Sequence, residues 1–313
     1  MNLLKGNIAI LLLLLWLFAN CKHDQIINPE TDVVIEQDDP NLKLYPLKNI
    51  QEIAEDYTGS AMPFLIQFRV NYNLLDENQI PIIEYDFGEH RNAVTSCITA
   101  LAFYDEYQST GGLDFKQGFL NNVEWLVNSI GADGYYHYEF EWWHAPEAVL
   151  KKGWVSGMAQ GLILAVLARA YQETSDENYL QPAQNVFSTL YTNTTDYWTI
   201  YVDSANYYWI EEYPNADSCH VLNGMLYALW GIWDYYVISG DSLALKLLRA
   251  GIRTLADHYA IWNIDGQDTS RYCLHYDDPT NYHSIHLEQF EKYANFFNIP
   301  EFFEAVRTFS RKN

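Results

Sequence analysis

The sequence predicts a mainly α chain folded as an incomplete α/α toroid of helical hairpins, with short β-strands at one mouth. Three observations predict it. Apolar residues recur at helical spacing in paired segments, each pair split by a short turn rich in Gly, Ser, Asp or Pro. The pairs recur at roughly 60–70 residues, the length of one helical hairpin with a return loop. An aromatic, strand-like stretch follows each of the first three pairs. Only four pairs are visible, so the ring is expected to be open.

In chain order, 49–57 reads as a short amphipathic helix, and 64–70 and 80–85 as strand-like pieces with turns across 71–78. The first pair is 92–107, with Val94, Ile98, Leu101 and Ala102 on one face, and 115–130. Gly111-Gly112 breaks this pair, and Asp114 is expected to cap its second helix. The second pair, 155–171 and 178–191, is split at Thr174-Ser175-Asp176. The third, 221–237 and 243–259, is split at Ser239-Gly240-Asp241. The fourth, 283–297 and 301–309, is joined through Asn298-Ile299-Pro300. The aromatic stretches are 133–138, 196–201 and 270–276. Gln160-Gly161 is expected to let two helices pack closely, and Arg169 to make a structural ion pair.

Residues 1–20 read as a targeting segment, with Lys5 ahead of an apolar run over 8–18 that is short for a membrane span. The run ends at Ala19-Asn20-Cys21, which resembles a bacterial lipoprotein cleavage site, although Asn20 departs from the usual pattern. An ordinary secretory signal is the alternative, and both place the protein in the cell envelope or outside the cell. The polar stretch that follows carries Glu30, Asp32, Glu36, Asp38 and Asp39 and reads as a flexible acidic linker over 21–45. The folded domain is then 46–313.

With 313 residues, 49% of them apolar, the chain can bury one large core or two modest ones. Its 18 basic and 41 acidic residues give a net charge of −23, which excludes nucleic acid as a partner because no basic footprint exists. Aromatic residues are abundant, with 25 Tyr and 10 Trp. That excess suits a cleft stacking sugar rings, or equally a tyrosine-rich core. Cys97, Cys219 and Cys273 lie at wide, unpatterned spacing and suggest neither a disulfide framework nor a metal site.

The chemistry-bearing stretch is Trp209-Ile210-Glu211-Glu212-Tyr213-Pro214, which runs through a turn into a helix opening at Val221-Leu222-Asn223-Gly224. Two carboxylates and a phenol between a strand end and a helix mouth occupy a usual location for reactive groups. Taken alone, the same residues read as solvated loop charges. His283 and His286 are one helical turn apart, as in a metal pair. A third ligand is lacking, so capping or core packing at the helix start is the reading for both.

Three blocks bear a family resemblance. Glu212-Tyr213-Pro214 with Val221-Leu222-Asn223-Gly224 and Tyr227-Ala228-Leu229 forms one. Gly153-Trp154-Val155-Ser156-Gly157-Met158-Ala159-Gln160-Gly161 with Arg169-Ala170-Tyr171 forms another. Ser270-Arg271-Tyr272 with Tyr282-His283-Ser284-Ile285-His286 forms the third. Together they resemble the catalytic C-terminal domain of the D-glucuronyl C5-epimerases, from about residue 142 to 305.

The resemblance implies an α/α toroid and C5 epimerisation of a hexuronate in a polysaccharide, with no cofactor and no metal. It makes Glu212, Tyr213, Tyr272 and Tyr282 the catalytic positions. Arg271, His275, His283, His286, Asn223 and Trp154 become candidates for substrate binding. Such a reaction removes the proton α to the carboxylate, stabilises an enediolate-like carbanion and returns a proton to the other face. A tyrosine can carry that proton if a nearby cation lowers its pKa. Vertebrate members place an Arg where His275 stands here, so Arg271 is expected to take over the substrate carboxylate. The β-rich N-terminal portion of the larger enzymes is expected to be missing or much reduced. Three alternatives stay open: a uronate polysaccharide lyase, an inverting glycoside hydrolase, and a non-catalytic glycan-binding lipoprotein. The oligomeric state stays open between monomer and homodimer.

Overall fold

The computed structural model describes residues 33–57, 69–145, 148–214, 218–264, 266–274 and 282–310. The proposed signal, Cys21, the strand-like piece over 64–68, His275 and the end of the third aromatic stretch lie outside these residues.

Among the described residues there are four helical pairs: α2 (Ala93–Thr110) with α3 (Leu113–Ser129), α4 (Gly157–Thr174) with α5 (Leu180–Ser188), α6 (Leu222–Ser239) with α7 (Ser242–His258), and α8 (His283–Phe297) with α9 (Pro300–Phe309). A short helix, α1 (Ile50–Asp56), precedes them. Helices α2, α4, α6 and α8 pack side by side as an inner arc, and each partner returns along the outside. This is an incomplete α/α toroid. The local chemistry explains the ends. Asn92, Ser156 and Asp241 cap α2, α4 and α7 by accepting from backbone amides. Gly111 and Gly240 end α2 and α6 in the left-handed conformation. The expected Asp114 cap is corrected: Gly112 occupies that position, and Asp114 falls in the first turn of α3.

Three antiparallel two-stranded hairpins stand directly before inner helices. They are β1 (Ile83–Tyr85) with β2 (Gly88–His90), β3 (Trp142–Ala145) with β4 (Ala148–Leu150), and β5 (Ile200–Val202) with β6 (Tyr208–Ile210). Each of the first three repeats is therefore hairpin, inner helix, outer helix, which gathers the hairpins at the mouth where the inner helices begin. The stretch 133–138 contributes only one isolated bridge, Ile130 to Tyr136, and the strands lie further along the chain.

Helices α4 and α6 are apolar on nearly all faces because both are buried along most of their length. Their backbones touch. A Cβ on Gly161 would lie 2.2 Å from Ala228 Cα, and one on Gly231 would lie 1.7 Å from the Gly161 carbonyl oxygen. Arg169 of α4 and Asp234 of α6 pair at 2.6 Å with both side chains buried. Tyr57 donates to Asp234 at 2.6 Å, while Arg169 donates to the Tyr57 oxygen and lies over the Trp230 ring. The pair is compensated on several sides, the condition a buried charge requires.

The acidic linker expected over 21–45 is docked from residue 33 onward. Ile35, Leu42 and Tyr45 are buried, and the Ile35 amide bonds to the Tyr191 carbonyl. Lys246 of α7 donates to the carbonyls of Glu36, Gln37 and Asp39 at 2.8–3.0 Å. Apolar residues spaced among the acids provide the anchors that composition alone conceals. Lys246→Met should lower stability by about 1–3 kcal/mol, since three partly buried carbonyls lose their donor. Chemical denaturation checks this, and an unchanged midpoint would contradict it.

Candidate active site

The mouth of α6 holds the central cluster. Strand β6 delivers Glu211 and Glu212 directly before that helix, and both side chains are buried. Space for Glu212 exists because residue 224 is glycine: a Cβ there would meet Glu212 Oε2 at 2.4 Å. The first amide of α6, on Leu222, donates to the Tyr272 carbonyl, which ties the segment bearing Tyr272 to the same mouth. The first amide of α4, on Gly157, likewise donates to the Glu211 carbonyl.

Tyr272 Oη lies 3.2 Å from Glu212 Oε1 and 3.2 Å from Tyr213 Oη, so its single proton is shared between two acceptors. Tyr213 in turn donates to Glu212. The Tyr282 ring lies against Tyr272 with centroids 4.7 Å apart and is 39% exposed. Glu212, Tyr213, Tyr272 and Tyr282 are thus brought together, although about 70 residues separate the first from the last.

Electrostatics differ from the sequence expectation. Burial first, and then the Glu212 carboxylate, push the Tyr272 and Tyr282 phenols above their usual range. The same two causes raise Tyr213. The expected cation-lowered tyrosine is therefore corrected: an anion is the neighbour, and all three phenols rest protonated.

The remaining candidates divide. Trp154 stacks on Tyr138 at 3.9 Å, donates to the Phe140 carbonyl, and stands 5.9 Å from the Tyr213 ring as a wall of the site. Asn223 is buried in the first turn of α6, beside Gly224, and its Oδ1 has no hydrogen-bond partner among the described residues. Arg271 Nη1 donates to the carbonyls of Ile261 and Asn263, so that nitrogen braces the loop instead of facing a ligand carboxylate.

His283 and His286 grip one hydroxyl. Ser270 Oγ lies 3.0 Å from His283 Nδ1 and 2.8 Å from His286 Nδ1. With one proton to give, the hydroxyl donates to one ring and accepts from the other. His286 is fully buried, which corrects its candidacy as a substrate contact: the packing reading holds for it. The bridge joins the segment two residues before Tyr272 to the turn that follows Tyr282.

Burial, with the neighbouring His283 adding to it, lowers the His286 pKa from 6.5 to about 3. The folded value lies below the unfolded one, so the unfolded chain binds the extra proton as pH falls. His286 then withdraws stability between pH 6.5 and about 3, and none above that window. Acid unfolding monitored by circular dichroism should be less steep in His286→Gln than in wild type across this range. Parallel curves would contradict it.

One array was not anticipated. The Glu211 carboxylate accepts from the His220 amide and contacts His220 Nδ1 at 2.6 Å, while His220 Nε2 meets Tyr201 Oη at 2.9 Å. The imidazole stacks on Trp209 at 3.9 Å, and His220 has a left-handed backbone with φ of 51°. Glu211 is thereby held away from the tyrosine cluster, which leaves Glu212 as its carboxylate. An acid one residue before Glu212, with a His just ahead of the next helix, was the available signal.

The fold and the cluster define an α/α toroid with an acid and three phenols at its mouth. Residues 131–311 match the family of the D-glucuronyl C5-epimerase C-terminus, and the chain belongs to that family. The chain is 35% identical over 120 residues to the D-glucuronyl C5-epimerase of Caenorhabditis elegans, across 38% of this chain and 19% of that protein. It is 29% identical over 140 residues to an uncharacterised protein of Methanocaldococcus jannaschii, across 44% of each. The chain thus spans less than half of the curated relatives it matches. In fold it is similar to cellobiose 2-epimerase from Bacillus thermoamylovorans, with a TM-score of 0.51, 13% identity, and coverage of 83% of this chain and 70% of that one.

Proposed function

We propose that the chain is a uronosyl C5-epimerase that inverts hexuronate residues within a polysaccharide. The observation that carries this reading is the Glu212 carboxylate holding two protonated phenols, with the Tyr282 ring against one of them. The worm relative is named for the same chemistry.

The roles follow in this reading from burial and the neighbouring acid, which keep the phenols protonated. Glu212 is the base. The C5–H bond breaks, the proton passes to Glu212 directly or along Tyr213 and Tyr272, and the electron pair moves into the substrate carboxylate. Tyr282, which is open to solvent, then donates its phenolic proton to the opposite face; afterwards Glu212 releases the abstracted proton and Tyr282 regains one from solvent. Two groups suit this step, because the carboxylate is ready to accept a proton and the phenol is ready to give one. In this reading the developing enediolate sits near the N-terminal ends of α4 and α6, whose dipoles favour negative charge. This compensates for the scarcity of cations in a chain of net charge −23. The scheme as proposed uses neither a cofactor nor a metal. Export to the cell envelope, with or without lipid at Cys21, belongs to the same proposal.

Incubation with unsulfated and sulfated uronate polymers in deuterated water, read by NMR, tests the reading. Deuterium at C5 without chain cleavage is the expected result. Unsaturated, ultraviolet-absorbing ends would instead identify a lyase.

A further inference from the structure

We infer that Ser270 is a positioning residue: its hydroxyl, held between His283 and His286, sets the Tyr272 phenol against Tyr282 and Glu212. The inference rests on the epimerase reading above and assigns Ser270 no contact with substrate.

Tyr272 and Tyr282 come from different elements, and their rings meet at 4.7 Å. Tyr282 caps the start of α8, and its carbonyl accepts from the His286 amide. Tyr272 lies on a segment bonded through its backbone on two sides. The Arg271 amide donates to the Trp262 carbonyl, and the Leu274 amide to the Cys219 carbonyl. The Tyr272 carbonyl accepts from Leu222, the first residue of α6. Those bonds tie the segment to the mouth of α6 and to the stretch after α7. None of them reaches α8.

Ser270 supplies that link. It is completely buried, and its Oγ stands 3.0 Å from His283 Nδ1 and 2.8 Å from His286 Nδ1. Both rings belong to the first turn of α8, and His283 directly follows Tyr282. The surroundings set the order of protons. His283 Nε2 faces the Asp268 carboxylate at 3.7 Å, which favours a proton on that nitrogen and leaves Nδ1 to accept from Ser270. The Ser270 oxygen then accepts from His286 Nδ1, and burial keeps the His286 ring neutral. His286 Nε2 has no partner among the described residues, a cost that an apolar core would not carry. Departures of this kind concentrate at functional sites.

The test uses the full chain and a glucuronate polymer, with C5 exchange and backbone amide exchange both read by NMR. Ser270→Ala should lower kcat about 10²-fold with KM unchanged, roughly the cost of misplacing a reacting group by about 1 Å. In a Tyr272→Phe background the same change should add almost nothing, because the hydroxyl it places is already gone. Amide exchange at Arg271 and Leu274 should quicken about tenfold, the weight of one lost hydrogen bond. Amides in the middle of α4 should keep their wild-type rates, which separates a local release from a general loss of stability. Ser270→Cys keeps the shape with a weaker donor and should fall between the two. It carries the same comparisons if the alanine variant does not fold. An equal kcat loss in both backgrounds would make Ser270 a purely structural residue and overturn the inference. Wild-type kcat in Ser270→Ala overturns it as well, as do Arg271 and Leu274 amides that exchange at wild-type rates. Faster exchange at those amides, in a protein whose wild type shows no C5 exchange, upholds the hold on Tyr272 and overturns the epimerase reading.

Discussion

Tyr272→Phe is expected to lower turnover ~10²–10⁴-fold, the usual cost of removing a proton carrier. The change deletes one hydroxyl, whose oxygen stands 3.2 Å from both Glu212 Oε1 and Tyr213 Oη. Ring packing against Tyr282 survives, so the stability loss should stay within ~0.5–1.5 kcal/mol. Steady-state kinetics beside a melting curve separate the two effects. If Tyr272 only held substrate, KM would rise with kcat unchanged, and the relay assignment would be lost.

Gly231→Ala is expected to cost more than ~3 kcal/mol, because the new methyl overlaps backbone that cannot swing aside. A Cβ at that site would stand 1.7 Å from the Gly161 carbonyl oxygen, and relieving the overlap means separating α4 from α6. That movement strains the buried pair between Arg169 and Asp234. Gly240→Ala gives the contrast. Nothing lies within 4 Å of a Cβ there, and only the left-handed φ of 64° resists it. Its cost should be ~1–2 kcal/mol. Equal losses at the two glycines in denaturant titrations would refute the account of the close crossing.

The helical plan was legible because it is written locally. Ser156, Asp241, Gly111, Gly240 and Asn298 stand where a helix starts or stops, and apolar periodicity fills the spans between them. Gly161 announced a close crossing, and Arg169 an ion pair, because few side chains suit those places. What escaped depended on contacts between distant segments. Residues 33–45 looked like a linker until Lys246, some 200 residues away, supplied donors to their carbonyls. The phenol chemistry also reversed sign: sequence places tyrosines and an acid in one site but cannot report that the acid is the dominant neighbour. Ser270 shows the same limit, since its role depends on two imidazoles from another helix. The Glu212, Tyr213, Tyr272 and Tyr282 grouping came from resemblance to a family, and the spatial cluster is what the fold adds.

The central claim is that separate groups remove and return the C5 proton on opposite faces. Conversion of a glucuronate polymer in deuterated water, stopped early and resolved by NMR into inverted and uninverted residues, addresses it directly. The account predicts that every inverted residue carries deuterium at C5, because Tyr282 exchanges with solvent before it donates, while uninverted residues remain largely protiated. Inverted residues that retain protium would mean that the abstracted proton itself returns, and the two-group mechanism would be wrong.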